Sequence, residues 1–338
     1  MTAVTISRWQ RTAWQARRLV TAYNNNLSLF QKYLTTLAAA VFLVSGWWAV
    51  SSWSSLFAEA YQGKTLALAD YRLVGEPIEL QIMTYNASGL TYNRDTDSLF
   101  AVANNPPYVV EMDKQGQELR KIPLEGFDDT EGMVFLGNGR YAIIEEDHRS
   151  VVIVGIDAET TTLNRANGRS VSFPLTQKNN KGFEGVAYNA ADQSLYVVNE
   201  RQPREIYRIA GAVDPDALSF SITTPWSMED NSLGNSDLSG LHFDQGTGHL
   251  LVLSDESKAL TETTTDGRKV SRLSLSDSGA GFGESVPQAE GVTMDDDGML
   301  YILSEPNLLY RLAPPQAPVA AKSSENPVSA SKNQAKSG

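Results

Sequence analysis

The chain has 338 residues, of which 41% are hydrophobic and 20% charged, and it contains no cysteine. The absence of cysteine excludes disulfide scaffolds, iron–sulfur clusters and thiolate zinc sites, and three histidines argue against a multi-histidine metal site. A net charge of −12 argues against nucleic acid as a partner, because phosphates are bound by an excess of Lys and Arg.

The charge is distributed unevenly along the chain. The first 58 residues carry +5 without any acidic residue, and residues 313–338 carry +2, which leaves −19 for residues 59–312. A compact domain this acidic is either strongly solvated or arranges its carboxylates around a cation. The tail from residue 313 onward is rich in Pro, Ala, Ser and Lys, and this composition predicts disorder.

Residues 33–58 form a run of 26 uncharged residues with Trp47 and Trp48 toward its far end. As a helix this run would reach about 39 Å, enough to cross a hydrocarbon layer of about 30 Å. All five basic residues precede it, so the positive-inside rule predicts a cytoplasmic segment 1–32 and a single-pass anchor 33–58 in the inner (plasma) membrane. A linker, 59–68, would then lead to a domain in the bacterial periplasm. Two alternatives are cleavage by signal peptidase after Ala60 and a buried helix of a soluble protein.

Five segments repeat one pattern, in which a small or acidic residue is followed by Gly and an apolar residue, and then by two strands joined by a turn. The glycines are at positions 89, 132, 185, 240 and 291, with spacings of 43, 53, 55 and 51 residues. Such periods are typical of propeller blades of four strands. The pattern predicts an all-β, five-bladed β-propeller with four-stranded antiparallel blades over residues 69–312.

The fifth repeat has only three strands before the tail, and one strand-like stretch, residues 71–80, precedes the first repeat. Pairing this stretch with the last blade would close the ring and leave no open edge strand. A β-sandwich or irregular all-β domain and a six-bladed ring with one degenerate blade are the alternatives.

Polar residues recur at two positions of the repeat, the start of each inner strand and the end of each second strand. The first column is Ser88, Glu131, Glu184, Ser239 and Glu290. The second column is Asn104, Glu145, Glu200, Asp255 and Glu305. Because the start of one hairpin strand lies beside the end of the next, both columns should lie on one face around the channel.

Seven of these ten positions are carboxylates, and two carboxylates about 5 Å apart repel by about 3 kcal/mol at an effective dielectric of about 20. Protons or a cation must relieve such repulsion. Oxygen ligands without histidine or cysteine favour Ca²⁺. The predicted calcium ligands are Glu131, Glu184, Glu290, Glu145, Glu200, Asp255 and Glu305, the first three being nearest the axis. The sequence Asp295-Asp-Asp-Gly lacks the spacing of an EF-hand and is interpreted as a solvated turn on the opposite face.

The repeats Ser88-Gly-Leu, Thr130-Glu-Gly-Met, Phe183-Glu-Gly-Val, Leu238-Ser-Gly-Leu and Ala289-Glu-Gly-Val, read together, resemble the SdiA-regulated (YjiK-like) family of bacterial membrane-anchored proteins. The resemblance covers about residues 70–313. It implies a five-bladed propeller that binds calcium, distantly akin to NHL-repeat propellers, with an amino-terminal membrane segment and no established activity.

Two functions are compatible with these observations. The first is a membrane-tethered, calcium-stabilised module that binds a ligand or an envelope protein on its acidic face, and the alternative is a calcium-dependent hydrolase of lactones or phosphoesters. Candidate ligand-binding residues near the second strands are Asn104, His148, Arg149 and Arg201. No nucleophile elbow, P-loop or dinucleotide fingerprint is present in the sequence.

Overall fold

The structure is a computed structural model that describes Ser28, Gln31 and residues 63–315 except 84, 147, 174–181, 201–202, 227–232 and 277–278. The predicted segment 1–32, apart from Ser28 and Gln31, lies outside the described residues. The same is true of the anchor 33–58 and of the tail beyond residue 315. None of the helices in the described part of the chain has the length and apolar character needed to cross a membrane.

Within the described residues, twenty-two strands form five sheets. The first blade contains β3 (Ala87–Asn93), β4 (Ser98–Ala103), β5 (Tyr108–Met112) and β6 (Glu118–Glu125), with the two-residue β10 (Leu163–Asn164) added in parallel beyond β6. The second blade contains β7 (Thr130–Gly137), β8 (Arg140–Glu145), β9 (Ser150–Gly155) and β11 (Arg169–Ser172). A short 3-10 helix, Arg165–Asn167, lies between β10 and β11.

The third blade contains β12 (Phe183–Asn189), β13 (Ser194–Asn199), β14 (Glu205–Ala210) and β15 (Ser221–Thr223). The fourth contains β16 (Gly240–Asp244), β17 (His249–Ser254), β18 (Ala259–Thr263) and β19 (Lys269–Ser274). In the third blade the pairing of the fourth strand with β14 begins at Ser221. Leu218 is fully exposed, so its apolar character does not reflect a place in the sheet.

The fifth blade is completed by the amino-terminal part of the domain, as the closure prediction required. Its own strands are β20 (Ala289–Met294), β21 (Leu300–Ser304) and β22 (Leu308–Ala313). The short strands β1 (Arg72–Leu73) and β2 (Ile78–Glu79) both pair antiparallel with β22. The last strand of the chain's fifth repeat is therefore covered by the segment that precedes the first repeat, which confirms the five-bladed, all-β architecture.

Residues predicted as the end of a linker instead pack on the propeller. The buried carboxylate of Glu262 in β18 accepts hydrogen bonds from the Thr65 hydroxyl at 2.9 Å and the Leu66 amide at 3.0 Å. A 3-10 helix, Leu68–Asp70, follows, and the side chain of Leu68 is fully buried. Glu262 also contacts Nδ1 of His249, the first residue of β17, at 2.7 Å.

The core is divided among the five interfaces between neighbouring blades. Five separate apolar clusters are present, and each combines side chains from two adjacent sheets. The innermost strands β3, β7, β12, β16 and β20 contact one another in a closed ring around the axis. The two ends of these five strands therefore form the two ends of a central channel.

Candidate metal centre

The repeated Glu-Gly and Ser-Gly pairs mark a β-bulge at the start of the inner strands. Pairing with the neighbouring strand skips one residue between Ala87 and Gly89, and the same shift occurs in β7, β12 and β20. The skipped residues are Ser88, Glu131, Glu184 and Glu290. An extra residue in one strand escapes the normal alternation of side chains, and bulges often redirect a side chain next to a functional site.

The glycine after each of these residues allows the inner strands to approach closely. A Cβ on Gly89 would lie 2.6 Å from the Gly132 Cα, and a Cβ on Gly185 would lie 2.8 Å from the Leu241 amide nitrogen. The glycines of the fourth and fifth blades face backbone atoms of the next inner strand in the same way. We call the ring formed by Gly89, Gly132, Gly185, Gly240 and Gly291 the glycine collar.

At the end of the channel where the inner strands begin, carboxylates surround a cavity of about 390 Å³ that we call the acidic mouth. It is lined by Ser88, Glu131, Glu184, Glu200, Asp237, Ser239, Asp255, Glu256, Gln288, Glu290 and Glu305. Six of the seven predicted metal ligands are in this set. Among the described residues no basic side chain lines the cavity, and Lys258 contacts Asp255 at its margin.

Asn104 connects two of the carboxylates at one side of the acidic mouth. Its side-chain amide donates to Asp129 Oδ1 at 2.8 Å and to Glu131 Oε1 at 2.5 Å. Carboxylate oxygens of Asp129, Glu131 and Glu146 lie within 4.8 Å of one another. Oxygens that bind one Ca²⁺ at about 2.4 Å are at most about 4.8 Å apart, so this group fits a calcium ion.

Burial is the main cause of altered acidity at the acidic mouth. It raises the pKa of Glu131 and of Glu290 to about 8, and repulsion from neighbouring carboxylates adds to the effect. The pKa of Glu184 is raised well above its ordinary value by burial and by repulsion from Glu131, Glu146, Glu290 and Glu200. These three acids therefore either hold protons near neutral pH or require a cation to ionise.

The predicted ligand Glu145 does not line the acidic mouth, because it is still part of its strand. Glu145 is the last residue of β8 and pairs with Thr130, whereas Asn104 and Glu200 each follow the last residue of their strand. Its fully buried carboxylate accepts from Arg165 Nε at 2.9 Å and from the Ser150 hydroxyl at 2.6 Å, inside the second blade. Glu146 takes the equivalent position beside the channel, where its carboxylate accepts the amide of Gly182 at 2.6 Å.

A third polar column was missed in the sequence. It lies three residues before each collar glycine and consists of Asn86, Asp129, Gly182, Asp237 and Gln288. Backbone carbonyls of this column accept the amides of Asn104, Glu146, Glu200 and Glu305, which ties it to the second-strand column. In the third blade this position is a glycine, and a Cβ there would lie 2.5 Å from the side chain of Glu146. The recurrence of Asp, Asn and Gln at this spacing was the available signal.

Of the predicted loop residues His148, Arg149 and Arg201, the structure describes the first two. His148 is exposed and Arg149 is half-buried, and neither side chain lines the acidic mouth. Arg201 lies outside the described residues. Lys258 is paired with Asp255 at the margin of the cavity.

The Asp295-Asp-Asp-Gly turn lies at the opposite end of the inner strands, as expected. Asp296 is exposed and forms an ion pair with Arg94 at 3.2 Å. Asp295 differs from the expectation of a solvated turn, because its carboxylate is buried and accepts the amide of Met299 at 2.8 Å and the hydroxyl of Tyr301 at 3.0 Å. These bonds assign Asp295 to stabilising the turn.

Comparison with known families identifies the group to which the chain is related. A family model described as SdiA-regulated matches residues 64–313, which is more than half of the chain and includes all five blades. The chain belongs to the SdiA-regulated family. The match spans the five Glu-Gly and Ser-Gly motifs on which the resemblance in sequence rests.

Several solved structures are similar at low sequence identity. A calcium-binding regucalcin from Agrobacterium tumefaciens is 12% identical, with 73% of this chain and 94% of that chain covered and a TM-score of 0.45. A gluconolactonase from Xanthomonas campestris is 12% identical, with coverages of 72% and 97% and a TM-score of 0.43. Virginiamycin B lyase from Staphylococcus aureus is 12% identical, with coverages of 71% and 73% and a TM-score of 0.39.

Proposed function

We propose that this propeller binds calcium at the acidic mouth and uses the bound ion to hold a ligand or a partner protein there. The observation that carries the proposal is the convergence of Glu131, Glu184 and Glu290 from three inner strands in one cavity without a basic lining residue among those described. Mutual repulsion of this kind costs about 3 kcal/mol for each close pair, and a divalent cation would replace it with attraction.

The donor set favours calcium over other metals. Carboxylate, amide and hydroxyl oxygens line the acidic mouth, and these are hard ligands that suit Ca²⁺ or Mg²⁺ better than zinc or copper. Ca²⁺ tolerates about 6–8 oxygens in an irregular shell, whereas Mg²⁺ requires a strict octahedron. Glu131, Glu184 and Glu290 would hold the ion together with Asp129 and Glu146, whose carboxylate oxygens already group with those of Glu131. Glu200, Asp255 and Glu305 are the surrounding acids. The bound ion would supply positive charge and coordination positions for oxygens of a ligand.

Calcium-dependent hydrolysis, the alternative, would have to use a lining carboxylate as its general acid or base, because the histidine predicted on this face does not line the acidic mouth. His148 is exposed on the β8–β9 loop, outside the lining of the acidic mouth. General acid–base catalysis requires a group within about 3 Å of the reacting proton or one water away. The described lining offers acids, amides and hydroxyls only.

The metal proposal is tested by calorimetry on chelator-stripped full-length protein. Calcium should bind with a Kd below 1 mM, on the order of the weaker extracellular calcium modules, and magnesium should bind more weakly. Glu184→Gln should weaken calcium binding by at least about tenfold, since it removes one of the charged ligands. Asp296→Asn removes one carboxylate at the other end of the channel and should leave the affinity unchanged. Absence of calcium binding below millimolar, or loss of binding in Asp296→Asn alone, would contradict the proposal.

The cellular setting is proposed from the charge pattern of the amino-terminal residues. The uncharged run 33–58 and the five basic residues before it support an uncleaved membrane anchor. The protein would then cross the inner membrane once, with its propeller in the periplasm. Protease added to spheroplasts should then digest residues beyond 62 while the protein in intact cells is protected. Resistance of the propeller in spheroplasts, despite digestion after lysis, would contradict this orientation. Release of the domain in soluble form would indicate cleavage after Ala60.

A further inference from the structure

The inner strands end at a second cavity, on the other side of the glycine collar from the acidic mouth. Its volume is about 600 Å³, within the range of about 300–1,000 Å³ that is common for small-molecule sites. The third residue after each collar glycine supplies a large side chain to its wall. These residues are Tyr92, Phe135, Tyr188, Phe243 and Met294, and we call the space that they surround the aromatic cavity.

The second residue after each collar glycine faces the channel between the inner strands. In the first and fifth blades it is a threonine that bonds to the next inner strand. The Thr91 hydroxyl oxygen accepts the Phe135 amide at 3.0 Å, and the Thr293 hydroxyl oxygen accepts the Tyr92 amide at 3.0 Å. At this position, threonine therefore has a structural role in holding neighbouring blades together.

The fourth blade has His242 at this position. Its Nδ1 lies 3.5 Å from the Thr293 hydroxyl oxygen, a long contact, and the described residues provide no hydrogen-bond partner for its Nε2. Desolvation in the channel lowers the pKa of His242 to about 4, so the imidazole is neutral at physiological pH. A neutral imidazole offers one donor and one acceptor to a molecule in the aromatic cavity.

The charged groups at the rim of the aromatic cavity are already paired. Arg94 contacts Asp296 at 3.2 Å, and Asp295 accepts hydrogen bonds from its own turn and from Tyr301. Asp244 accepts the Thr247 amide at 2.7 Å and the Thr247 hydroxyl. An anionic ligand would meet three carboxylates and no free cation among these groups. A cationic ligand would gain an ionic partner only by displacing the hydrogen bonds of Asp244, so both charges are disfavoured.

We propose that the aromatic cavity is a binding site for a small neutral molecule with a flat ring and one hydrogen-bonding group. The ring would pack against Tyr92, Phe135 and Phe243, and the polar group would bond to His242. Aromatic walls supply area for packing, and one buried polar group fixes the orientation of the ligand. The aromatic cavity and the acidic mouth share no lining residue, so this proposal does not rest on calcium binding at the acidic mouth.

The test uses three probes of similar size that differ in charge, namely benzyl alcohol, benzoate and benzylamine. Ligand-observed NMR on the full-length protein at pH 7 should show that benzyl alcohol binds at least tenfold more tightly than the two charged probes. Val134→Trp, on the cavity wall, should abolish binding by filling the space. His242→Leu, which keeps an apolar side chain of similar bulk, should weaken binding by about fivefold to tenfold, the loss of one hydrogen bond.

Glu184→Gln is the matched control at the opposite end of the channel, and it should leave probe binding unchanged whether or not calcium binds. Equal affinity for the three probes would overturn the proposal. If Val134→Trp fails to fold, as judged by its melting curve, His242→Leu decides the question alone. Binding of benzyl alcohol that is undiminished in a folded His242→Leu protein would also overturn it, as would no detectable binding of benzyl alcohol at 10 mM.

Discussion

At one end of the channel the inner strands present carboxylates, and at the other end they present aromatic rings. The same five strands build both ends, and the two cavities are separated by the glycine collar. At the acidic mouth, bulges release Glu131, Glu184 and Glu290 from the regular alternation of the strands. Beyond the collar the inner strands are regular except for a second shift in β7 after Phe135. Alternation there directs one side chain to the channel and the next to the blade interfaces and the cavity wall.

The comparison shows how one repeat can support two different chemistries. A bulge followed by glycine concentrates polar side chains at the start of a strand while allowing the backbones to approach closely just beyond. The cost is local repulsion among acids, which appears as the raised pKa values of Glu131, Glu184 and Glu290. The aromatic end carries no such conflict, because its rim charges are paired.

Disrupting the glycine collar should have the largest effect on stability. Gly185→Ala would place a Cβ 2.8 Å from the Leu241 amide nitrogen and 2.9 Å from the Gly240 Cα, both backbone atoms. Relieving this overlap should cost about 1–3 kcal/mol of unfolding free energy, the range for overpacked sites. Gly155→Ala is the control, because a Cβ there would have no neighbour within 4 Å. Urea denaturation measures the unfolding free energy of both variants. Equal values would show that the collar is not close-packed.

The exchange of roles between Glu145 and Glu146 gives a second test. Glu145→Gln removes the charge that Arg165 contacts inside the blade and should cost about 2 kcal/mol of stability with calcium affinity unchanged. Glu146→Gln should leave the metal-free protein as stable as wild type, or more so, and should weaken calcium binding. Thermal melts and calcium titrations of both variants measure these effects. Loss of calcium affinity in Glu145→Gln alone would restore the original assignment from the repeat.

The metal-free protein should lose stability as pH rises from about 5 to about 8. The folded pKa of Glu131 and Glu290 is raised to about 8 from 4.5, so the folded state binds more protons than the unfolded state between these values. This contribution is fully present below the unfolded pKa and is lost as pH rises through the folded pKa. Melting temperatures in EDTA at pH 5.5, 6.5, 7.5 and 8.5 should therefore fall, whereas a flat or rising series would contradict the electrostatic description.

Calcium should stabilise the folded protein, and it should oppose the loss of stability at high pH. A ligand at a hundredfold excess over its Kd stabilises the folded state by about 2.7 kcal/mol. For a domain of this size that raises the melting temperature by at least about 2–4 °C. The shift should be greater at pH 8 than at pH 6, because calcium competes with protons for the same carboxylates. An equal shift at both pH values would indicate that calcium binds elsewhere.

Much of the fold was predictable because each repeat contains two sequence features that the propeller geometry requires. Glycine recurs where the inner strands meet, and the alternating apolar strands follow it at a fixed distance. Five copies therefore specified five blades, and the missing fourth strand of the last blade indicated closure by residues 71–80, which β1 and β2 confirm. The short β15 was less predictable, because apolar residues such as Leu218 are exposed at the outer edge of the blade.

The candidate site was harder to predict because a shift of one residue moves a side chain to the other face of a strand. Glu145 and Glu146 are adjacent acids, and sequence alone does not specify which of them continues the strand and which follows it. Arg165, which pairs with Glu145, comes from a helical turn outside the repeat pattern. The aromatic cavity was also not recognised, since its residues are indistinguishable from ordinary core residues until the strand ends are placed together.

A crystal structure of the full-length protein grown with calcium, with anomalous diffraction used to locate the ion, tests the central claim most directly. The account predicts an anomalous peak in the acidic mouth, with oxygens of Glu131, Glu184 or Glu290 at about 2.3–2.6 Å. The aromatic cavity should contain no such peak. A peak at the Asp295–Asp297 turn, or an acidic mouth that contains no ion at saturating calcium, would contradict the account.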